Sequence, residues 1–374
     1  MALLFMDSFD HYATADITEK WTQIVAKEEW SDYEDLPVIG AYGRNSSQGI
    51  RMAVGNTSRC GNPVSVTLAP TDTDLVIAGA AFKYNNFTNL SQEVNPKVNS
   101  DTASNGGSNW LFAIKDTNTY QVWFRLNTNG TISAFCGAGY PSTLLGTTTG
   151  SLQVNVWAYV EFKVLIHGSA GTVDVRINGV NSLSLTGVNT QAGTSAIWNV
   201  ARFGYIAVST GSTITCDIDD VVVMDGSGSY NNAFIGDVTI SILNPNGAGN
   251  STDWTPSAGS NYQCVDEDLV NDDTDYVSSS TLNTKDLYAF ADAPAGADIR
   301  AVQVLAAVRK GAEGPGQVTL VTRSSSTDYD GAAQGIGGTT YSYVRQVLET
   351  DPATAAAWSE SGFNAAEFGI KKVG

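Results

Sequence analysis

Positive charge is scarce in this chain of 374 residues: 20 Lys+Arg stand against 38 Asp+Glu, a formal net charge of −18. Divided at Ser227/Gly228, the first part has 12 basic against 20 acidic residues, giving −8, and the second has 8 against 18, giving −10. Neither part carries a basic stripe, so recognition of DNA or RNA through phosphates is not expected. Charged residues of both signs make up only 16%, which argues against a coiled coil and against a disordered acidic tail. The four cysteines, Cys60, Cys136, Cys216 and Cys264, lie far apart with no Cys-x-x-Cys. A structural zinc site is therefore not expected, and buried free thiols are, since spacing alone assigns no disulfide. No apolar run is long enough to cross a bilayer, so no membrane insertion is expected. Met1–Asp7 has no basic flank and reads as a first strand rather than a signal peptide. Heptads, β-helix repeats and Gly-X-Y are absent, so nothing builds a fibre shaft.

What the chain does contain points to β structure. Hydrophobic residues make up 42%, aromatics 10%, and there are 37 glycines. At this length one core is usually exceeded, so two domains are expected. The stretch from 150 to 225 reads as successive strands: Leu152–Val156, Trp157–Ile166, Thr172–Ile177, Ser182–Leu185, Phe203–Val208 and Ile214–Met224. Val160, Phe162 and Val164 alternate with Glu161 and Lys163, the period of a strand with one buried face. Asn178-Gly179 is a pair favoured where both turn residues need positive φ. Upstream, Ile17–Trp30 has near-helical spacing, Asn85–Gly107 is a long aperiodic loop, and Gly137–Thr149 reads as a polar loop. Downstream, residues 227–233 have linker composition. Ile299–Lys310 is the strongest strand signal there, and Asp351-Pro352 is expected to open a short helix through Trp358.

Three segments, Trp157-x-x-x-Glu161-Phe162, Gly171-x-Val-x-Val-x-Ile-Asn-Gly179 and Ile218-Asp-Asp-Val-Val-Val223, resemble in that order the concanavalin A-like (laminin G-like) jelly roll. Asp7-Ser-Phe-Asp10 resembles openings of such modules in tailed bacteriophage proteins. The second part adds an ordered series: Phe234-Ile-Gly-Asp-Val238, Asn244-Pro-Asn-Gly247 with Asp253-Trp254, Asn271 to Val277, Ile299 to Val304 with Arg309-Lys310, Thr350-Asp-Pro352 with Trp358, and Glu367-Phe-Gly369. This series resembles the C-terminal portion of tailed-phage structural proteins. The resemblance implies an all-β chain with a concanavalin A-like jelly-roll sandwich over residues 1–226, a linker at 227–233 and a smaller β-sandwich virion module over 234–374. It further implies a non-enzymatic structural protein of the virion, made in the bacterial host cytoplasm. The expected place is a tail, tail-tip or fibre accessory in contact with host-surface glycans. The alternative is a capsid decoration or head-fibre protein bound to the shell; a free lectin or glycosidase is a weaker one. Other virion proteins are the expected partners, and a homo-oligomer, simplest as a trimer, fits virion symmetry.

A glycosidase on such a fold needs facing carboxylates, and the Glu-x-Asp-x-x-Glu spacing of laminarinase-like members is missing. Glu28-Glu29 falls in a helix or loop, and Glu161 stands alone on the exposed face of its strand. No Ser/His/Asp pattern accompanies His11 or His167, and His167 reads as a turn residue. No cofactor is expected, with calcium the one possibility. Asp266, Asp268, Asp272, Asp273 and Asp275 gather enough carboxylates within ten residues to hold it, though without EF-hand order, and a solvated acidic loop is the plainer reading. Of Asp217, Asp219 and Asp220, alternation puts the last on the opposite face unless a bulge intervenes, and loop capping is the default. Trp110, Tyr120, Trp123 and Tyr140 are the candidate sugar-stacking residues, with burial in the core as the competing reading.

Overall fold

The computed structural model describes residues 2–24, 34–54, 60–92, 94, 108–117, 119–137, 142–208, 213–312 and 314–374. They form two compact units, Met1–Ile240 and Ser241–Gly374. In the first unit the strands are β1 (Leu3–Asp7), β2 (Gln23–Ile24), β3 (Glu34–Asp35), β4 (Val38–Gly40), β5 (Gly49–Val54) and β6 (Cys60–Gly61). They continue with β7 (Val64–Thr67), β8 (Leu75–Tyr84), β9 (Trp110–Asp116), β10 (Thr119–Leu126), β11 (Thr131–Cys136) and β12 (Thr143–Ser151). The last five are β13 (Ala158–Leu165), β14 (Gly171–Ile177), β15 (Val180–Val188), β16 (Val200–Ala207) and β17 (Ile214–Met224).

Two sheets result, antiparallel except where β3 and β6 run parallel. Sheet I has the order β15-β14-β13-β8-β17-β5-β4, with β1 also on β17. Sheet II runs β12-β11-β10-β9-β16-β6-β3, with β7 on β16 and β2 on β7. Their inner faces meet through aromatic rings, because alternation sends Phe162 inward from sheet I and Phe112, Phe124 and Phe203 inward from sheet II. The Phe112–Phe162 centroids are 5.1 Å apart and the Phe124–Phe162 centroids 4.6 Å. The jelly-roll sandwich is thus an all-β core of the expected class. Asn178 and Gly179 take φ 49° and 76°, the paired positive values expected of this turn, and connect β14 to β15. Gly204 is required where the layers approach: its φ is +71°, and an added Cβ would lie 2.4 Å from the Ile218 Cδ1.

Three local expectations are corrected. The helix from Ile17 stops at Lys20, and Gln23–Ile24 pairs instead with β7, leaving residues 25–30 outside the described residues. The polar stretch expected as a loop before 149 carries β12, while Leu152–Val156 is the turn after it. Thr-rich sequence suits a strand when its outward face stays wet, so polarity alone misassigned the loop. In the second unit Asp351–Trp358 is a turn, and the helix is Glu360–Asn364, where Ser359 accepts the Gly362 amide.

The second unit has a six-stranded sheet containing Pro245–Thr252, Lys285–Phe290, Glu367–Lys372 and Gln317–Ser324. The ribbon Val302–Val308/Ser342–Leu348 joins the same core, with Val304 and Val344 beside Leu320, Trp358, Phe368 and Ile370. Phe363 and Phe368 pack with ring centroids 5.7 Å apart and fix the tail to this core, as expected. Cys136, Cys216 and Cys264 are buried free thiols.

Candidate functional site

The outward face of sheet I concentrates the chemistry of the first unit. On β13 the outward residues are Tyr159, Glu161 and Lys163; on β14 they are Asp174 and Arg176. Cross-strand register sets Glu161 opposite Arg176 and Lys163 opposite Asp174, while Asp174 and Arg176 face Ser184 and Asn181 of β15. On β17 the register shifts between Asp219 and Val222, and Asp220 takes φ 53°. This bulge turns Asp220 to the side already held by Asp217 and Asp219, so three carboxylates share a face that strict alternation would split.

Each of the three is held structurally. Asp217 is bridged by Arg51, at 2.6 and 3.0 Å, and by Lys83 at 3.1 Å. Asp219 accepts the Arg44 amide at 2.8 Å and the Ser47 hydroxyl at 3.1 Å, capping the loop that carries them. Asp220 accepts the Arg44 Nη1 at 3.0 Å and the Ile240 amide at 2.7 Å. Glu161, expected exposed, is only 2% accessible because residues 233–240 cross over it. Its Oε1 accepts the Gly236 amide at 2.9 Å. The same strap is fixed by Arg44, which donates to the Val238 carbonyl at 3.1 Å and pairs with Asp237 at 2.8 Å, and by Arg176 over the Phe234 ring at 4.4 Å. Phe234–Ile240, expected to open the second module, is therefore bonded to the first unit, and Ser241 begins the second.

Burial without full ionic compensation shifts these acids upward. Desolvation and the neighbouring Asp220 push Asp219 up to about 7. Desolvation also pushes Asp220 up to about 6, against the Ile240 amide and Arg44. Such groups bind a proton more tightly folded than unfolded, so their stabilisation is complete below the ordinary aspartate value. It is lost as pH rises through about 6 and then about 7. His11, lowered to about 3 by burial and Lys20, has the opposite sign and gains stability up to its unfolded value. Because these contributions oppose each other in melting curves, the direct readout is carboxyl-carbon NMR. A midpoint near 7 is expected for Asp219; an ordinary aspartate midpoint would refute this account of the cluster.

Three of the candidate sugar-stacking residues, Trp110, Tyr120 and Trp123, sit on sheet II, and the structure does not present them. Trp110 and Trp123 are fully buried and Tyr120 is 5% exposed. Trp123 stacks on Phe135 at 4.5 Å, and Trp110 packs at 5.4 Å on Tyr205. Arg202 donates to the Tyr120 hydroxyl at 2.6 Å and to Ser65 at 2.9 Å. Tyr140 and Glu28-Glu29 lie outside the described residues. The five acidic-loop residues do not converge: no group of three metal-ligating side chains forms among the described residues. Asp273 pairs with Arg309 at 2.6 Å, Asp275 accepts Asn271 at 2.5 Å, and Asp268 accepts Asn244 at 2.5 Å. His167 is the turn residue expected, its Nδ1 accepting the Ser169 and Ala170 amides.

A cavity of 280 Å³ opens at the end of the strap, lined by Lys163, Asp174, Arg176, Asn181, Ala233 and Phe234. Sequence reasoning missed it. The alternation signal that placed Lys163, Asp174 and Arg176 outward was legible; the return of Phe234 over them was not.

No protein-family model and no curated protein matches this chain. Among solved structures it is similar to an endo-β-1,4-glucuronan lyase from the fungus Trichoderma reesei, at 12% identity over 59% of this chain and 94% of that one, with a TM-score of 0.40. It is also similar to the CBM2 module of the evolved Dit of Lactobacillus casei BL23 phage J-1, at 12% over 60% and 95%, TM-score 0.38. A non-specific endo-β-1,3(4)-glucanase of family GH16, SCLam, follows at 8% over 60% and 90%, TM-score 0.38. Likenesses of this size assign neither activity nor ligand to this chain.

Proposed function

We propose that this protein is a non-enzymatic structural component of a tailed-phage particle, carried on the tail, tail tip or fibre and in contact with host-surface glycans. The observation that carries the non-enzymatic part is the use made of the first unit's buried acids. Asp7, Glu161, Asp217, Asp219, Asp220 and Asp225 each hold a backbone amide or a basic side chain. A hydrolytic site needs two carboxyl groups facing each other across the substrate, whereas these six are tied into the fold, Glu161 through Oε1 while its Oε2 has no hydrogen-bond partner among the described residues. The virion part is supported by the ordered motif series through the second unit. Assembly as a homo-oligomer, in the simplest case a trimer beside other virion proteins, follows from the symmetry of such positions.

A capsid decoration protein is the second reading, favoured by the absence of any shaft-forming repeat. Cryo-electron microscopy of intact particles separates them. Density for the two units at the tail or its tip is the expected result, density over the shell would transfer the chain to the decoration reading, and particles lacking it would sink the virion reading.

A further inference from the structure

The half-open cavity beside the strap gathers four polar side chains whose hydrogen-bonding capacity the fold uses only in part. Among the described residues neither Lys163 nor Arg176 has a carboxylate oxygen within 4 Å, although Arg176 acts electrostatically on Glu161 and Asp174 stands directly across from Lys163. The Asp174 carboxylate instead accepts the Ser184 hydroxyl at 2.6 Å, which occupies one of its oxygens and leaves the other to accept. Asn181, paired in register with Arg176, offers an amide donor and an amide acceptor at the rim. Phe234 provides an apolar wall, held in place by Arg176 on one side of its ring.

Charge decides the ligand class. Lys163 and Arg176 are positive and Asp174 negative in the lining, and the buried Glu161 behind it, opposite Arg176 in register, offsets the remaining positive charge. The local balance is close to neutral, so a strongly anionic ligand gains little net attraction there. A neutral molecule that both donates and accepts at several positions matches the mixture, since it satisfies acceptor and donors without stripping an uncompensated charge of water. Its size is limited: 280 Å³ falls just short of the range of about 300–1,000 Å³ typical of drug-sized ligands. One sugar ring, entering from a chain end or side branch, fits this volume.

We propose that this cavity is a binding site for a single neutral saccharide unit. Asp174 accepts from one hydroxyl, Lys163 and Asn181 bond its neighbours, and Phe234 lies along the ring's apolar edge. The site depends on the strap, because Phe234 and Ala233 reach it only while Gly236, Val238 and Ile240 stay bonded to Glu161, Arg44 and Asp220. It deepens the glycan contact proposed above by moving that contact from the sheet II aromatics to the outer face of sheet I.

The test is saturation-transfer NMR and calorimetric titration of the full chain with D-glucose, D-galactose, N-acetyl-D-glucosamine and D-glucuronate. At least one neutral sugar is expected to bind, with affinity falling about tenfold in Asp174→Ala and in Asn181→Ala, the loss of one hydrogen bond each. Asp174 is half-buried and Asn181 exposed, and unchanged melting of the variants would show that folding is not the cause. Retained binding in both variants, binding of glucuronate alone, or no binding by any of the four would overturn the site. Particle position is read separately. Sugar binding without tail density would sink the tail reading and leave this site standing; tail density without sugar binding would do the reverse.

Discussion

Asp7→Ala is expected to destabilise the first unit by about 3–5 kcal/mol, the range for removing one partner of a buried charge pair. Asp7 is 1% exposed and ends the first strand, where its two oxygens collect four donors. Oδ1 accepts the Lys20 Nζ at 2.8 Å and the Phe9 amide at 3.1 Å; Oδ2 accepts the Tyr12 hydroxyl at 2.5 Å and the Trp21 Nε1 at 2.6 Å. The carboxyl is held below its ordinary value despite burial, chiefly by Lys20 and His11. Its contribution is accordingly present at neutral pH and lost as pH falls below the ordinary aspartate range. Alanine leaves an ammonium group, an indole NH and a phenol without their shared acceptor. The loss extends beyond polar groups, because Trp21 is stacked 5.7 Å from Phe9 and packs edge-on against Phe5 at 4.7 Å. Asp7→Asn is expected to recover little, since its NH₂ would point at donors. Urea unfolding of the full chain measures both; a change under about 1 kcal/mol for alanine would show that water replaces the carboxylate without cost.

Trp123→Ala is the second large effect, expected at about 3–5 kcal/mol of stability. The residue lies fully buried on β10 between β9 and β11, against Ala113 and Phe135. Truncation opens a cavity in a layer that cannot collapse, since the neighbouring strands are fixed by their own ladders. Its indole NH makes no hydrogen bond among the described residues, so Trp123→Phe loses packing volume only and is expected to cost much less. Thermal unfolding and sugar titration together discriminate. A stacking platform would lose its ligand while keeping its melting temperature; the buried residue described here loses stability first.

Asp7 and Trp123 also mark how far the chain could be read without its fold. The Asp-x-Phe-Asp opening was legible as a motif, but its role as a hub was not, because Lys20 and Trp21 reach it through a helical turn that ends abruptly. Trp123 and Phe124 are adjacent on one strand, so one had to leave the space between the sheets. Alternation could not tell whether the outward one would meet solvent or further protein, and the structure buries it with Trp110, Phe135 and Tyr205.

Short-range physics determined much on its own. Period-two alternation set which residues of β13 and β14 face inward, and Asn178-Gly179 placed a hairpin. These follow from the nearest few residues. What tertiary structure decided involves partners far apart in sequence. A bulge at Asp220 brought a third carboxylate to one face, Arg44 reached across to it, and residues 233–240 returned over Glu161, putting Ala233 and Phe234 at the edge of a cavity. A strand's sequence carries its inward pattern because every neighbour imposes the same hydrophobic demand. It does not carry the identity of what covers its outward face, since that depends on where a distant segment is led by the chain that precedes it.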